Sequence, residues 1–380
     1  MFDFNNPVLT LAILFFNIAI CEYLVRKTVL KHLGTALLVI LVTAIEANLF
    51  LIPSASNPSV VYDVIFAYVA PISIFYLLLE VNFASIKKAG LPILIMFLIG
   101  SLGTVLGVFI AGNLIDGVEH IGDKFPMIAG MFTGTYTGGS INFNAVALHY
   151  DMNKDANLYT GAVAIDNIIT AIWMVATIAL PKFLQAWIPR AKQMGQSKEA
   201  LTEKDLSDTE GLNPMNTSIL VGLGLVALIL SDWLATLCSI PSILILTTIS
   251  LVLAQFRFIQ ELDGSRVLGI LGIYLFLAVI GAYCELAALP KIGAIATYLL
   301  LFAFVLVLVH GLVTFILGYL FKIDWDIISI ASQANVGGSG SAIALARSLD
   351  RNDLLLPSIL IGTVGNAIGT YLGFMMVNFF

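Results

Sequence analysis

The 380 residues are 59% hydrophobic and 11% charged, with a mean hydropathy of +0.99. A soluble domain carries about 25% charged residues, so this composition argues against a water-soluble globule and for an integral membrane protein in contact with the lipid bilayer. The net charge of −6 comes with no basic patch, and no nucleic-acid partner is expected.

The first apolar run, 7–25, opens after Asp3 and is followed by Arg26, Lys27 and Lys31. With nothing basic before it, it reads as a retained span and not as a cleaved signal. Further runs long enough to cross about 30 Å of hydrocarbon lie at 33–53, 60–80, 90–115 and 157–184. Within this half, 125–152 is apolar but interrupted by Gly, Ser, Thr and Asn. Segment 185–214 is rich in Lys, Glu, Asp, Ser and Gln and reads as a solvated cytoplasmic linker. The second half follows the same plan, with runs at 215–237, 241–256, 265–285, 292–321 and 354–380 and an interrupted segment at 324–350.

A shift of 199 residues lays Gly138-Gly139-Ser140 on Gly337-Gly338-Ser339 and pairs Ala145 with Ala344, Ala147 with Ala346 and Asp151 with Asp350. It also pairs Asn153 with Asn352, Asn167 with Asn366 and Ile169 with Ile368. Chance would give roughly two or three such identities, so an internal repeat is expected, as is common in secondary transporters. The basic residues orient it, because Lys and Arg gather on the cytoplasmic side. If the interrupted segments dip in and return, fifteen of the eighteen fall inside and only Lys124, Lys154 and Lys291 outside. If they cross, the split is nine and nine. The expected fold is therefore an all-α polytopic membrane protein of two inverted repeats, 1–184 and 215–380. Each has five spanning helices plus one re-entrant or broken-helix segment, and both termini lie outside. A bacterial inner membrane is the expected location.

Candidate solute-binding residues cluster where the interrupted segments break: Thr137, Gly138, Gly139, Ser140, Asn142 and Asn144, then Asn335, Gly337, Gly338, Ser339 and Ser341. Glycine pairs permit a sharp turn and the polar neighbours cap half-helices, whose N-terminal ends attract anions while the preceding carbonyls suit a cation. Asp166 sits in the otherwise uncharged run 158–180 beside Asn167, whose counterpart is Asn366. An intramembrane carboxylate is costly to keep, so these three are the candidate coupling-ion site. Sodium is the only metal expected, and no cofactor besides.

Other groups carry less. Glu22, Glu46, Asp63, Glu80, Asp232 and Glu285 fall near span ends; His149 and His310 read as structural; Arg347 reads as an interfacial or substrate-pairing arginine. Cys21, Cys238 and Cys284 lie far apart in apolar runs and suggest neither disulfides nor a metal site. No zinc-protease, nucleophile-elbow or P-loop sequence occurs, so no enzyme activity and no ATP-driven pumping is expected.

At the two Gly-Gly-Ser tips, Asp166-Asn167 and the five-plus-hairpin plan, the chain resembles the YjcL-like family of uncharacterised bacterial membrane proteins along its whole length. More distantly it resembles the sodium/glutamate and 2-hydroxycarboxylate symporters of the cation/proton antiporter and anion transporter superfamily. The resemblance implies re-entrant hairpins whose tips form solute and sodium sites, an elevator-like motion and a homodimer. Those symporters tend to have Gly-Gly-Asn-Gly where this chain has Gly-Gly-Ser, so their substrate contacts do not carry over. The expected activity is sodium-coupled symport of a small organic anion; a proton-coupled antiporter or exporter and a passive channel are the alternatives.

Overall fold

In the computed structural model the described residues are 6–28, 30, 34–54, 57–86, 89–193, 211–238, 240–284 and 289–380. Residues 194–210 of the expected linker, Asp3, Lys31, Glu285 and the side chain of Lys291 lie outside them. The longer helices are α1 (Pro7–Lys27), α2 (Gly34–Asn48), α3 (Val60–Leu78), α4 (Leu91–Leu114), α5 (Phe125–Gly138), α6 (Ser140–His149) and α7 (Ala156–Trp187). They continue as α8 (Pro214–Cys238), α9 (Ser242–Leu253), α10 (Ser265–Tyr283), α11 (Leu289–Leu320), α12 (Trp325–Ser348) and α13 (Leu355–Val377).

Local chemistry sets several of these ends. The Asn6 side chain accepts from the amides of Val8 and Leu9 ahead of Pro7, and the Asp155 side chain accepts from the amide of Leu158 at the start of α7. Both satisfy amides that an α-helix leaves unpaired. Among the described residues, eight helices are long and apolar enough to cross a membrane. Two of the ten expected spans come out shorter: α2 has 15 residues and α9 has 12, about 22 and 18 Å at the helical rise. The chain leaves α2 at Phe50, in the left-handed region at φ 60°, just before Pro53.

The helices sort into two bundles, each drawing on both halves of the sequence. In the first, α2 and α3 pack on α10, α1 on α2, and α8 on α9. In the second, α4 lies along α11, α5 along α13, and α12 against α7 and α13. The expected repeats 1–184 and 215–380 are thus not separate bodies.

Both interrupted segments double back. Gly134 of α5 faces Asn142 of α6, and Gly130 faces Val146, an antiparallel register. The segment ends meet as well, where Lys124 pairs with Asp155 at 2.6 Å. A straight 24-residue helix spans about 36 Å, yet Asp324 and Arg351, which flank α12, pair at 2.6 Å. The break falls at Gly338 (φ 72°, ψ −173°), matching Gly139 (φ 97°, ψ 177°) 199 residues earlier. Left-handed Asp151 and Asp350 recur at the same spacing, each leading into a 3-10 turn.

The two hairpin mouths lie at opposite ends of α7. Asp155 at its start meets Lys124. Past its end, the Ile188 carbonyl accepts from Trp325 Nε1, and the Gln193 amide donates to Asp324. The tips meet between them: a Cβ on Gly139 would lie 3.7 Å from Cα of Gly338.

Candidate functional site

The site begins with backbone. Positive φ combined with ψ near 180° is open to glycine almost alone, and Gly139 and Gly338 both adopt it. Each glycine ends one helical arm and starts the next, so the N-termini of α6 at Ser140 and of the second arm of α12 at Ser339 come together. Both border a cavity of about 400 Å³. Thr135, Gly139, Ser140, Asn144, Gly337 and Ser339 line it from the hairpins; Asp166, Asn167 and Thr170 from α7; Asn366 from α13. The facing wall belongs to the first bundle, with Leu77 on α3, Glu80 just past its end, and Arg266, Ile273, Tyr274 and Leu277 on α10. The cavity therefore lies between the bundles.

The expected site residues divide. Gly139, Ser140, Asn144, Gly337, Ser339, Asp166, Asn167 and Asn366 line the cavity. The others do not, and most are held by neighbours. Asn142 donates to the Gly365 carbonyl and accepts from Thr370. Asn335 donates to Ser101 Oγ and to the Thr137 carbonyl. Ser341 donates to the Gly338 carbonyl at 3.1 Å, and Gly138 lies against Gly365. These residues build the tip and leave the cavity wall to others.

Asp166 is half-buried. Its Oδ2 accepts a long bond from Thr135 at 3.5 Å, and its Oδ1 makes no hydrogen bond of ordinary geometry among the described residues, although the Tyr136 hydroxyl is a neighbour of the carboxylate. Other buried polar atoms without a hydrogen-bond partner lie along the two hairpins, at Tyr136 Oη, Thr137 Oγ1, Ser329 Oγ, Gln333 Nε2 and Asn335 Oδ1, though none of these residues lines the cavity. Such atoms are few in a native structure and call for an explanation such as an ion or water. No cluster of three or more His, Cys, Asp or Glu suited to a metal occurs among the described residues. A cation at this place would rest on Asp166 together with hydroxyl, amide and carbonyl oxygens, the hard donors that sodium takes.

His310 has a structural setting. Its Nδ1 lies 2.9 Å from the Gly100 carbonyl and its Nε2 2.8 Å from Ser332 Oγ, which also accepts from Trp173 Nε1. Thr104, beside the ring, donates to the Tyr136 carbonyl. One imidazole thus ties α4, α11 and α12 together and reaches α5 and α7. Arg347 is exposed and does not line the cavity; the buried arginine is Arg351.

Glu80, Arg266, Tyr159 and Thr135 line the cavity without having been singled out from sequence as site residues. Glu80 and Arg266 lie 3.9 Å apart across α3 and α10. Glu46 is likewise no solvent-facing end group, since buried Asn17 donates to it at 2.5 Å.

Residues 9–380 match a family described as "Protein of unknown function (DUF819)". The chain is also 32% identical over 345 residues to the "Uncharacterized membrane protein YjcL" of Bacillus subtilis (strain 168), covering 85% of this chain and 84% of that one. With its eight apolar helices, this integral membrane protein belongs to the DUF819 family.

Proposed function

We propose that the protein is a secondary transporter in which a cation gradient drives a small organic solute across the membrane. The observation that carries this reading is the cavity between two bundles where two broken-helix tips meet beside a carboxylate oxygen that makes no hydrogen bond of ordinary geometry among the described residues. Two helix N-termini favour a negatively charged group on the solute, and Asp166 favours sodium as the coupling ion. The second bundle, carrying both hairpins and Asp166, is the part that moves, in an elevator-like manner, against the first. Re-entrant hairpins in inverted repeats are the membrane reading of two mouths at opposite ends of α7.

The test is uptake into liposomes holding purified protein, screened over organic anions with and without an inward sodium gradient. Saturable, sodium-driven uptake supports symport. Non-saturating flux indifferent to every ion gradient means a channel instead. Asp166 Oδ1 also suits a proton, so coupling to an imposed pH gradient alone would make the protein a proton-coupled carrier.

Orientation follows from the basic residues, with the linker cytoplasmic and the first hairpin's mouth outside. Cysteines at exposed Gly211 and Asp123 are then expected to react with an impermeant maleimide from opposite faces. Labelling of both from one face overturns this orientation.

A further inference from the structure

The cavity opens toward the linker side. Its rim residues Glu80, Arg266 and Ile270 lie at the linker-facing ends of α3 and α10, a side fixed by the approach of Leu212 to Gly264 just before α10. The other end of α10 lies beside the start of α7, where Cys284 Sγ meets Asn157 Oδ1 at 3.1 Å.

Toward that other end runs an unbroken series of edge-on ring contacts. Phe143 meets Tyr159 at 5.4 Å, Tyr159 meets Phe276 at 5.9 Å, and Phe276 meets Phe66 at 5.7 Å. Phe66 then meets Tyr283 at 5.5 Å, and Tyr283 meets Tyr62 at 5.6 Å. Phe143 and Tyr159 belong to the second bundle and the rest to the first, so the column crosses between bundles at Tyr159–Phe276. Both of those rings are fully buried. Phe66 sits in a π-helical stretch of α3, Ile65–Val69, a local rewinding often found at functional sites. Tyr159 also faces the cavity, and its hydroxyl donates to Asn144 Oδ1 in the cavity wall.

We propose that Tyr159 is the positioning residue of a gate on the first hairpin's side. Held by Asn144, its ring closes the space between the bundles against Phe276, and this structure is the state open to the linker side. Asn144 lines the cavity and on the transport reading above it meets the solute, so occupancy of the cavity is felt at the ring through one hydrogen bond. The gate itself rests only on the packing.

The experiment uses full-length protein in liposomes with Cys21, Cys238 and Cys284 replaced by Ser and a single reporter, Thr170→Cys, in the cavity wall. An impermeant maleimide is expected to label it from the linker side and not from the other. Phe276→Ala is expected to raise labelling from the first hairpin's side on the order of tenfold, by loss of a buried ring pair. Phe276→Leu, which keeps bulk, and Tyr159→Phe, which keeps the ring but not its tie, are expected to raise it less. Without the reporter, Tyr159→Cys with Phe276→Cys joined by a short reducible thiol cross-linker is expected to stop uptake until the link is cleaved.

Unchanged labelling in monodisperse Phe276→Ala and Phe276→Leu protein overturns the gate, as does full uptake by cross-linked protein. If labelling follows the expectation while no solute is ever carried, the gate stands and the transport reading falls.

Discussion

The two hairpins share a plan but meet their partner helices differently. On one side α5 and α13 touch through glycine: Gly130, Gly134 and Gly138 face Gly373, Gly369 and Gly365, and a Cβ on Gly138 would lie 2.0 Å from the Gly365 carbonyl carbon. Small residues four apart let two membrane helices approach this closely. The 199-residue shift carries these positions to Ser329, Gln333 and Gly337 on α12 and to Met174, Thr170 and Asp166 on α7. There the contact runs through side chains, with Thr177 donating to Gln333 Oε1 and Trp173 to Ser332. Gly337 and Asp166 border the cavity, whereas Gly138 and Gly365 are sealed together. A carboxylate where the other half has a hydrogen atom turns a packed joint into a charged, open one.

Alanine substitutions exploit that difference most directly. At Gly365 the new methyl would meet backbone, 2.5 Å from Cα of Gly138, while at Gly337 it would meet the movable ends of Ser341 and Gln333. Gly365→Ala is expected to cost about 3 kcal/mol or more and Gly337→Ala under about 1, measured by unfolding in detergent. Equal costs would show that the two joints are packed alike. The mouths offer a second contrast. Arg351 is 4% exposed and pairs with Asp324, Asp326 and Asp353 while donating to the Gln193 carbonyl. Burial alone would lower its pKa, but its bonds to Asp353 and Asp324 outweigh this and hold it above the ordinary arginine value. A raised folded-state value means that its contribution is complete below the unfolded pKa and fades only above it. Arg351→Ala is expected to cost about 3–5 kcal/mol, by stranding buried carboxylates. Lys124→Ala, which breaks an exposed pair, is expected to cost about 0–1. Detergent unfolding at neutral and mildly alkaline pH should give the same gap between the two, and a gap that closes would mean that the latches are equivalent.

Much of this contrast stood in the sequence in partial form. Hydropathy marked the helices, and the doubled Gly-Gly-Ser marked both tips, because only glycine tolerates the backbone found there. The four-residue glycine rows of α5 and α13 were equally visible as a small-residue pattern, yet nothing in the sequence said that they face each other. Glu80, Arg266 and Tyr159 carry no local signal at all. They reach the cavity only because α3, α10 and α7 pack around it, and a charge near a span end looks the same whether it meets water or a cleft. The shortness of α2 and α9 was hidden for a related reason, since apolar residues continue past the point where the helix stops at Phe50 or Ala254.

At the tips the two halves are alike, and the prediction there is a matched effect. A Cβ on Gly139 or Gly338 meets nothing closer than 3.7 Å, so the penalty is backbone strain and not collision. Gly139→Val and Gly338→Val are each expected to lose about 1–3 kcal/mol of stability and all solute uptake while still reaching the membrane. Wild-type uptake by either variant would mean that its tip is only a packing feature.

The smallest expected change in stability, and the most informative, is at Asp166. Asp166→Asn keeps the size and the acceptor toward Thr135 but removes the charge. Replacing a desolvated ionic group by a neutral one is often neutral or stabilising, so in buffer without sodium the variant should unfold within about 1 kcal/mol of wild type. Adding sodium separates the two proteins. A site filled at a hundred times its dissociation constant stabilises the fold by about 2.7 kcal/mol, which wild type is expected to gain and Asp166→Asn to lose. Uptake should follow, with sodium dependence abolished in the variant. If the coupling ion is instead a proton, sodium stabilises neither protein and the substitution flattens the pH dependence of uptake. Among the described residues the Gly138–Gly365 joint has no carboxylate to titrate, so a response to either ion that survives in Asp166→Asn would place the coupling site elsewhere and return Asp166 to a purely structural role.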